Sequence, residues 1–161
     1  MNSKSTKKYL LELLSSENKN ELEDNIEILA RNMSDESHIP EYLENKTAQK
    51  IHQDKKDICF RENIIAVENI LDKLSEYRYV DKICDLIRGK FIRWIRLSKN
   101  PAYPHGNLTK GGIVTDIKFL ENGIHILVKN ALNQFIQYKY DDCITFQKLS
   151  VEELLYIRYC T

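Results

Sequence analysis

GKFIRWIRL, residues 89–97, decides the fold, because its alternation leaves no face for solvent. In an extended chain, Phe91, Ile95 and Leu97 share one face with Arg93, while Ile92 and Trp94 share the other, with Lys90 and Arg96 at its ends. A strand with one wet side alternates apolar with polar residues, so a strand apolar on both sides needs cover on both. The stretch therefore reads as a wall between a sheet interior and a layer of helices. Tryptophan is highly buried on average, and Trp94 is the chain's only one. The expectation is that Trp94 packs against the helices while the long stems of Lys90 and Arg96 reach outward.

On the amino-terminal side of this strand the apolar spacing is helical, from about Thr6 to Ile87. Leu22, Ile26, Leu29 and Met33 make one amphipathic helix, and Asn20 and Glu23 stand at its start like a capping box. After SDESHIP, with Pro40 suited to a first helical turn, the stretch to Lys56 carries few apolar anchors and is expected to be the most weakly held. Phe60, Ile64, Val67, Leu71 and Leu74 make the clearest helical stripe, which Val80, Ile83, Cys84 and Ile87 continue, with a break allowed around Tyr77 to Tyr79.

On the carboxyl-terminal side, turn signals (KNPAYPHGN, TKGG, ENG, NALNQ, DD) separate four further strand candidates. Ile113, Thr115, Ile117 and Phe119 are expected on one face of the first, and Ile124, Ile126 and Val128 on one face of the second. Asn122 and Gly123, which tolerate positive φ, join the two as a tight hairpin. Ile136, Tyr138 and Tyr140 share a face of the third, and Ile144 and Phe146 share one of the fourth. Short sequential strands over some sixty residues fit a small SH3-like antiparallel β-barrel, and a curled open sheet is the alternative. Ser150 and Glu153 form a capping box for a short final helix. The expected architecture is thus α+β: a helical region over 1–87 packed on a barrel with a C-terminal helix over 88–161.

Function is less legible than architecture. The 42% apolar and 30% charged content suits one soluble domain with a real core, and the equal basic and acidic counts leave the whole chain neutral, so overall charge selects no partner. Four cysteines (Cys59, Cys84, Cys143 and Cys160) are widely spaced with no C-x-x-C pair, which points to a reducing, cytoplasmic setting. No signal peptide or membrane span is expected.

Candidate chemistry yields to plainer readings. His38, His52, His105 and His125 lack metal-ligand spacing. His125 and Cys143 suit a solvent-facing strand position and a gap filler better than a base and nucleophile. Adjacent Asp141 and Asp142 point apart and read as a turn. TKGG lacks phosphate-loop spacing and precedes a strand instead of a helix. No catalytic residue, metal, cofactor or small-molecule substrate is expected.

Charge distribution is more informative. Residues 88–118 hold seven basic side chains against the single acid Asp116, a local charge of +6 that the rest of the chain cancels. Interleaved with Phe91, Trp94 and Tyr103, this strip suits an acidic protein partner or, with stacking aromatics, nucleic acid. The candidate binding residues are Arg88, Lys90, Arg93, Trp94, Arg96, Lys99 and Lys110.

The segments GKFIRWIRL, LTKGGIVTDIKFLENGIHILVKN and FIQYKYDDCITFQKLS together resemble small uncharacterised or virion-associated proteins of the nucleocytoplasmic large DNA viruses, and SH3-like modules generally. The resemblance lies in the paired glycines before a strand, the hairpin at Asn122 and Gly123, and the closing DDCITFQKLS. It implies a binding or structural role without chemistry, such as a minor virion or assembly protein in virion or host cytoplasm. The expected function is a non-enzymatic protein-interaction component; the alternative is a nucleic-acid-binding accessory factor using the strip 88–118.

Overall fold

The computed structural model describes residues 40–159. They divide into two units, Gln49–Leu149 and a smaller one to which residues 40–48 and 150–159 belong. The boundary expected between 87 and 88 falls inside the larger unit. The helix and capping box expected over 20–33 lie outside the described residues.

In the smaller unit, helix α3 (Val151–Tyr159) begins with a reciprocal capping box. The backbone N–H of Glu153 donates to Ser150 Oγ, and the N–H of Ser150 to Glu153 Oε1, both at 3.1 Å. Tyr42 donates its hydroxyl proton to Glu153 Oε2 at 2.8 Å, so one carboxylate both caps the helix and holds the turn Glu41–Leu43.

Helix α1 (Ala48–Arg61), in the larger unit from Gln49 onward, buries Ile51, Lys55, Ile58 and Cys59, spaced as one helical stripe. Residues 48–56 are therefore anchored, contrary to the weak hold expected up to Lys56. The reason is Lys55, 2% exposed, whose ammonium donates to the Leu74 carbonyl at 2.6 Å and whose stem fills a core position. The stripe expected from Phe60 to Leu74 is not one helix. At Asn63 the chain turns left-handed.

 

Its φ is 55°, a region that asparagine tolerates, and it ends α1 in a Schellman motif. Asn63 N–H bonds to the Phe60 carbonyl at 3.1 Å and Ile64 N–H to the Cys59 carbonyl at 2.9 Å. Phe60 is left 58% exposed, and a separate helix α2 (Val67–Lys73) follows.

Nor does the helical pattern continue over 80–87. Tyr77–Tyr79 is strand β1, and Ile83–Asp85 is a single 3-10 turn. Tyrosines favour a pleated, half-buried surface, and β1 obtains one by pairing with the strand Cys143–Lys148. Five strands follow: β2 (Phe91–Arg96), β3 (Gly112–Leu120), β4 (Gly123–Lys129), β5 (Phe135–Lys139) and β6 (Cys143–Lys148). All pair antiparallel in the order β1-β6-β2-β3-β4-β5. The α+β class is therefore observed, but the closed barrel is not. β6 already carries β2 on one edge and β1 on the other, so it has no edge left for β5. The sheet curls instead. Tyr138 on β5 shares a hydroxyl hydrogen bond of 2.9 Å with Thr145 on β6, and its ring stacks on Trp94 of β2 at 4.4 Å.

β2 is the expected wall, but its faces are reversed relative to the sequence reading. Ile95, with Phe91 and Leu97 beside it, packs with Ile58, Cys59 and Leu74 of the helical layer. Ile92 and Trp94 face the curled interior with Val114, Ile126, Val128 and Tyr138. The chain's largest side chain lies on the curled face, stacked on Tyr138. β3 also departs from the expected alternation. A bulge between Val114 and Asp116 shifts the register, so Val114 and Ile117 face the interior while Ile113 is 47% exposed. The β3–β4 hairpin has the expected tight turn, with Leu120 paired to Gly123 and positive φ at Gly123.

Lys55 gives the larger unit a measurable pH dependence. Burial lowers its ammonium from 10.5 to about 8, so between those values an unfolded chain holds a proton that the native one has released, and stability rises with pH. Burial raises the Cys59 thiol, and raises Cys143 from 9.0 to about 11, so above pH 9 the unfolded chain loses protons first and stability falls. Urea unfolding should show a maximum near pH 9, with a rise below it of about 1 kcal/mol per pH unit at most. Lys55→Met should remove that rise and leave the fall above the maximum in place.

Candidate functional site

Three of the seven residues singled out in the sequence converge. Trp94, Arg96 and Lys110 line a cleft of about 340 Å³ with Asn107, Thr109, Gly111, Asn130 and Ile136. It lies where the interior face of the sheet opens. Along β2 that face runs from Ile92, fully buried, through Trp94 at 5% exposure to exposed Arg96. Along β5 it runs from buried Tyr138 to Ile136 at 38%.

The loop between β2 and β3 builds one wall. Thr109 pairs with Trp94 twice, its N–H donating to the Trp94 carbonyl at 3.0 Å and its Oγ1 accepting from the Trp94 N–H at 3.1 Å. Gly106 N–H donates to the Arg96 carbonyl at 2.8 Å, and His105 Nδ1 accepts from Ser98 N–H at 2.8 Å. The paired glycines then return the chain to the sheet. Gly111 has φ of 79°, and a Cβ there would lie 2.0 Å from the Ile92 carbonyl oxygen. A Cβ on Gly112 would lie 2.4 Å from the Lys129 carbonyl oxygen. TKGG thus serves close backbone approach, and its glycines make room for strands. The opposite wall ends in Asn130, whose Oδ1 accepts from Leu132 N–H at 3.0 Å and Gln134 N–H at 2.9 Å.

The remaining four residues are placed elsewhere. Arg88 pairs with Asp116 at 2.9 Å, and Lys99 with Asp142 at 3.3 Å. Arg93, on the helix-facing side of β2, donates from Nε to the Thr109 carbonyl at 2.7 Å. Lys90 is half-buried ahead of β2, where its carbonyl accepts from Val114 N–H at 3.0 Å. The continuous basic strip suggested by the sequence is therefore divided among ion pairs, a structural hydrogen bond and the cleft. Asn107, Thr109, Asn130 and Ile136 escaped the sequence reading, since only the curl of the sheet brings them beside Trp94.

None of the lining residues is acidic, so the cleft presents two cations, neutral amides and a hydroxyl above an aromatic and aliphatic floor. Trp94 is stacked on Tyr138 with an interplanar angle of 11°, so one indole face is already used. Other reactive candidates are occupied or quiet. His125 bonds to Asn122 Oδ1 at 3.1 Å and to Gln137 Nε2 at 3.2 Å. Burial pushes the Cys143 thiol up to about 11, which keeps it protonated at neutral pH. Asp141 and Asp142 belong to the 3-10 turn Tyr140–Asp142 between β5 and β6, as their reading as a turn anticipates. Among the described residues no group of three or more His, Cys, Asp or Glu side chains is placed to hold a metal ion, and no helix is long and apolar enough to cross a membrane.

No protein-family model, curated protein or solved structure matches the chain.

The stack of Trp94 on Tyr138 sets a stability prediction. Trp94→Ala should cost about 3–5 kcal/mol in urea unfolding, as large aromatic truncations in cores do. Trp94→Phe, which keeps a ring against Tyr138, should cost clearly less, and a loss for Trp94→Ala below about 1 kcal/mol would mean that the stack is not a core contact.

Proposed function

We propose that this chain is a non-enzymatic protein-interaction component whose cleft at Trp94, Arg96 and Lys110 receives an acidic segment of a partner protein. The observation that carries this reading is the cleft's lining: two cations and no carboxylate among the lining residues, with apolar surface from Trp94 and Ile136. A partner carboxylate gains charge-assisted hydrogen bonds there, while its neighbouring apolar side chains meet Ile136 and the free edge of Trp94. The strand run β6-β2-β3-β4-β5, curled about one apolar core, supports an SH3-like relationship as part of the same proposal. A binding role of this kind would suit the minor virion or assembly component implied by the sequence resemblance.

Nucleic acid is the weaker reading. Backbone recognition needs several phosphate-contacting cations in series, yet Arg88 and Lys99 are paired with Asp116 and Asp142. Base stacking needs an exposed ring, yet Trp94 is 5% exposed and already stacked.

A labelled peptide of alternating glutamate and valine and a labelled oligothymidine strand separate the two readings by fluorescence polarisation. The acidic peptide should bind, and Arg96→Glu combined with Lys110→Glu should weaken it by about tenfold or more, whereas Lys99→Glu should have little effect. Tighter binding of the oligonucleotide, with a steep salt dependence, would replace this reading with the nucleic-acid one.

A further inference from the structure

β5 is an edge strand among the described residues; it is short and ends in Lys139, but it has neither a proline nor a bulge to keep its edge from pairing. Its register with β4 is continuous, and among the described residues β4 is its one strand partner. The direction of its backbone groups follows from the ladder. Asn130 N–H bonds to the Gln134 carbonyl at 2.9 Å, which marks a hydrogen-bonded pair at the hairpin end. Antiparallel pairs alternate, so Val128 with Ile136 and Ile126 with Tyr138 exchange bonds, while Lys129 with Phe135, Leu127 with Gln137 and His125 with Lys139 do not. The N–H and C=O groups of Phe135, Gln137 and Lys139 therefore point away from β4. Phe135, Ile136 and Gln137 are exposed, so the row is open to solvent over that half of the strand, while Tyr138 is buried and Lys139 half-buried.

Three features indicate what would cover it. The backbone row offers alternating donors and acceptors, which an extended peptide satisfies. Phe135 and Ile136 on opposite faces, with Leu132 beyond them at 77% exposure, offer apolar contact to alternate side chains of such a peptide. Charge complementarity sets its sign: Ile136 also lines the cleft with Arg96 and Lys110, Lys129 lies over the Phe135 ring at 5.9 Å from its centroid, and Lys139 ends the strand.

We infer that the acidic partner segment binds as an extra β-strand along the outer edge of β5, with a carboxylate reaching Arg96 and Lys110. This rests on the cleft reading above for the partner's charge, and adds its conformation and the strand it pairs with. The sheet becomes seven-stranded on binding, with main-chain bonds supplying affinity and the cleft supplying selectivity.

The test uses the full chain and the labelled glutamate–valine peptide. Gln137→Pro removes one outward N–H at an exposed edge position, where proline is tolerated in sheets, and should weaken binding by about tenfold or more. Gln137→Ala removes the same side chain but keeps the N–H, and should bind as the parent does. A version of the peptide N-methylated at alternate residues leaves the protein untouched and should lose binding in one of its two registers, which keeps the test decisive even if Gln137→Pro unfolds the chain. If Arg96→Glu with Lys110→Glu abolishes binding while Gln137→Pro and both N-methylated peptides bind normally, the cleft reading stands and strand addition is overturned. If the edge changes abolish binding and the charge reversals do not, strand addition holds and the cleft reading fails. Absence of peptide binding up to about 1 mM overturns the proposal, as does a self-associated chain that Gln137→Pro converts to monomer, which would make a second copy the occupant.

Discussion

β2 has no solvent-facing side, and the larger unit is organised around that constraint. Ile95 and its neighbours Phe91 and Leu97 need the helical layer; Ile92 and Trp94 need an enclosed sheet face. A flat sheet would leave Trp94 wet. Curling brings Tyr138 from β5 over the indole, and the stacked pair at 4.4 Å fixes how far the curl proceeds. β6 extends the same logic, with Ile144 and Phe146 toward the helices and Thr145 toward the interior, where it satisfies the Tyr138 hydroxyl. Burial raises that hydroxyl's pKa strongly, so it stays protonated and able to share the bond.

The cleft is a by-product of incomplete closure. Had β5 and β6 formed a ladder, the space beside Trp94 would be occupied by backbone. Both edges of β6 are taken, so β5 meets β6 through side chains, and among the described residues its outer edge pairs with no strand. Gly111 and Gly112 sharpen this geometry by letting the loop after β2 return almost in contact with the β2 and β4 backbones. An open edge and a cationic cleft thus share Ile136, and neither requires a special motif.

Electrostatics follows from the same placement. Seven basic residues between 88 and 118 suggest a broad positive surface when counted along the chain. Folding assigns Arg88 to Asp116, Lys99 to Asp142 and Arg93 to a backbone carbonyl, and what reaches the cleft is Lys110 with Arg96, which also hydrogen-bonds the Cys143 side chain. A cation already paired gives little to a ligand, so the distribution of partners matters more than the count.

Local signals were legible where one neighbour decides the conformation. The two-faced character of 89–97, the hairpin before Gly123, the Ser150–Glu153 cap and the turn at Asp141 and Asp142 all follow from residue type and short spacing, and the structure contains each. Long-range packing decided the rest. Nothing local distinguishes the two faces of β2, because both are apolar and only the position of Tyr138 selects the side for Trp94. Thr115 alternates correctly by sequence until the bulge shifts it, and Lys55 looks solvent-facing until the Leu74 carbonyl is found within reach of its ammonium. Residue order determined which segments must be covered and where the chain must turn. The tertiary structure decided what covers them and which cations stay available, because burial and ion pairing depend on groups that are neighbours only in space.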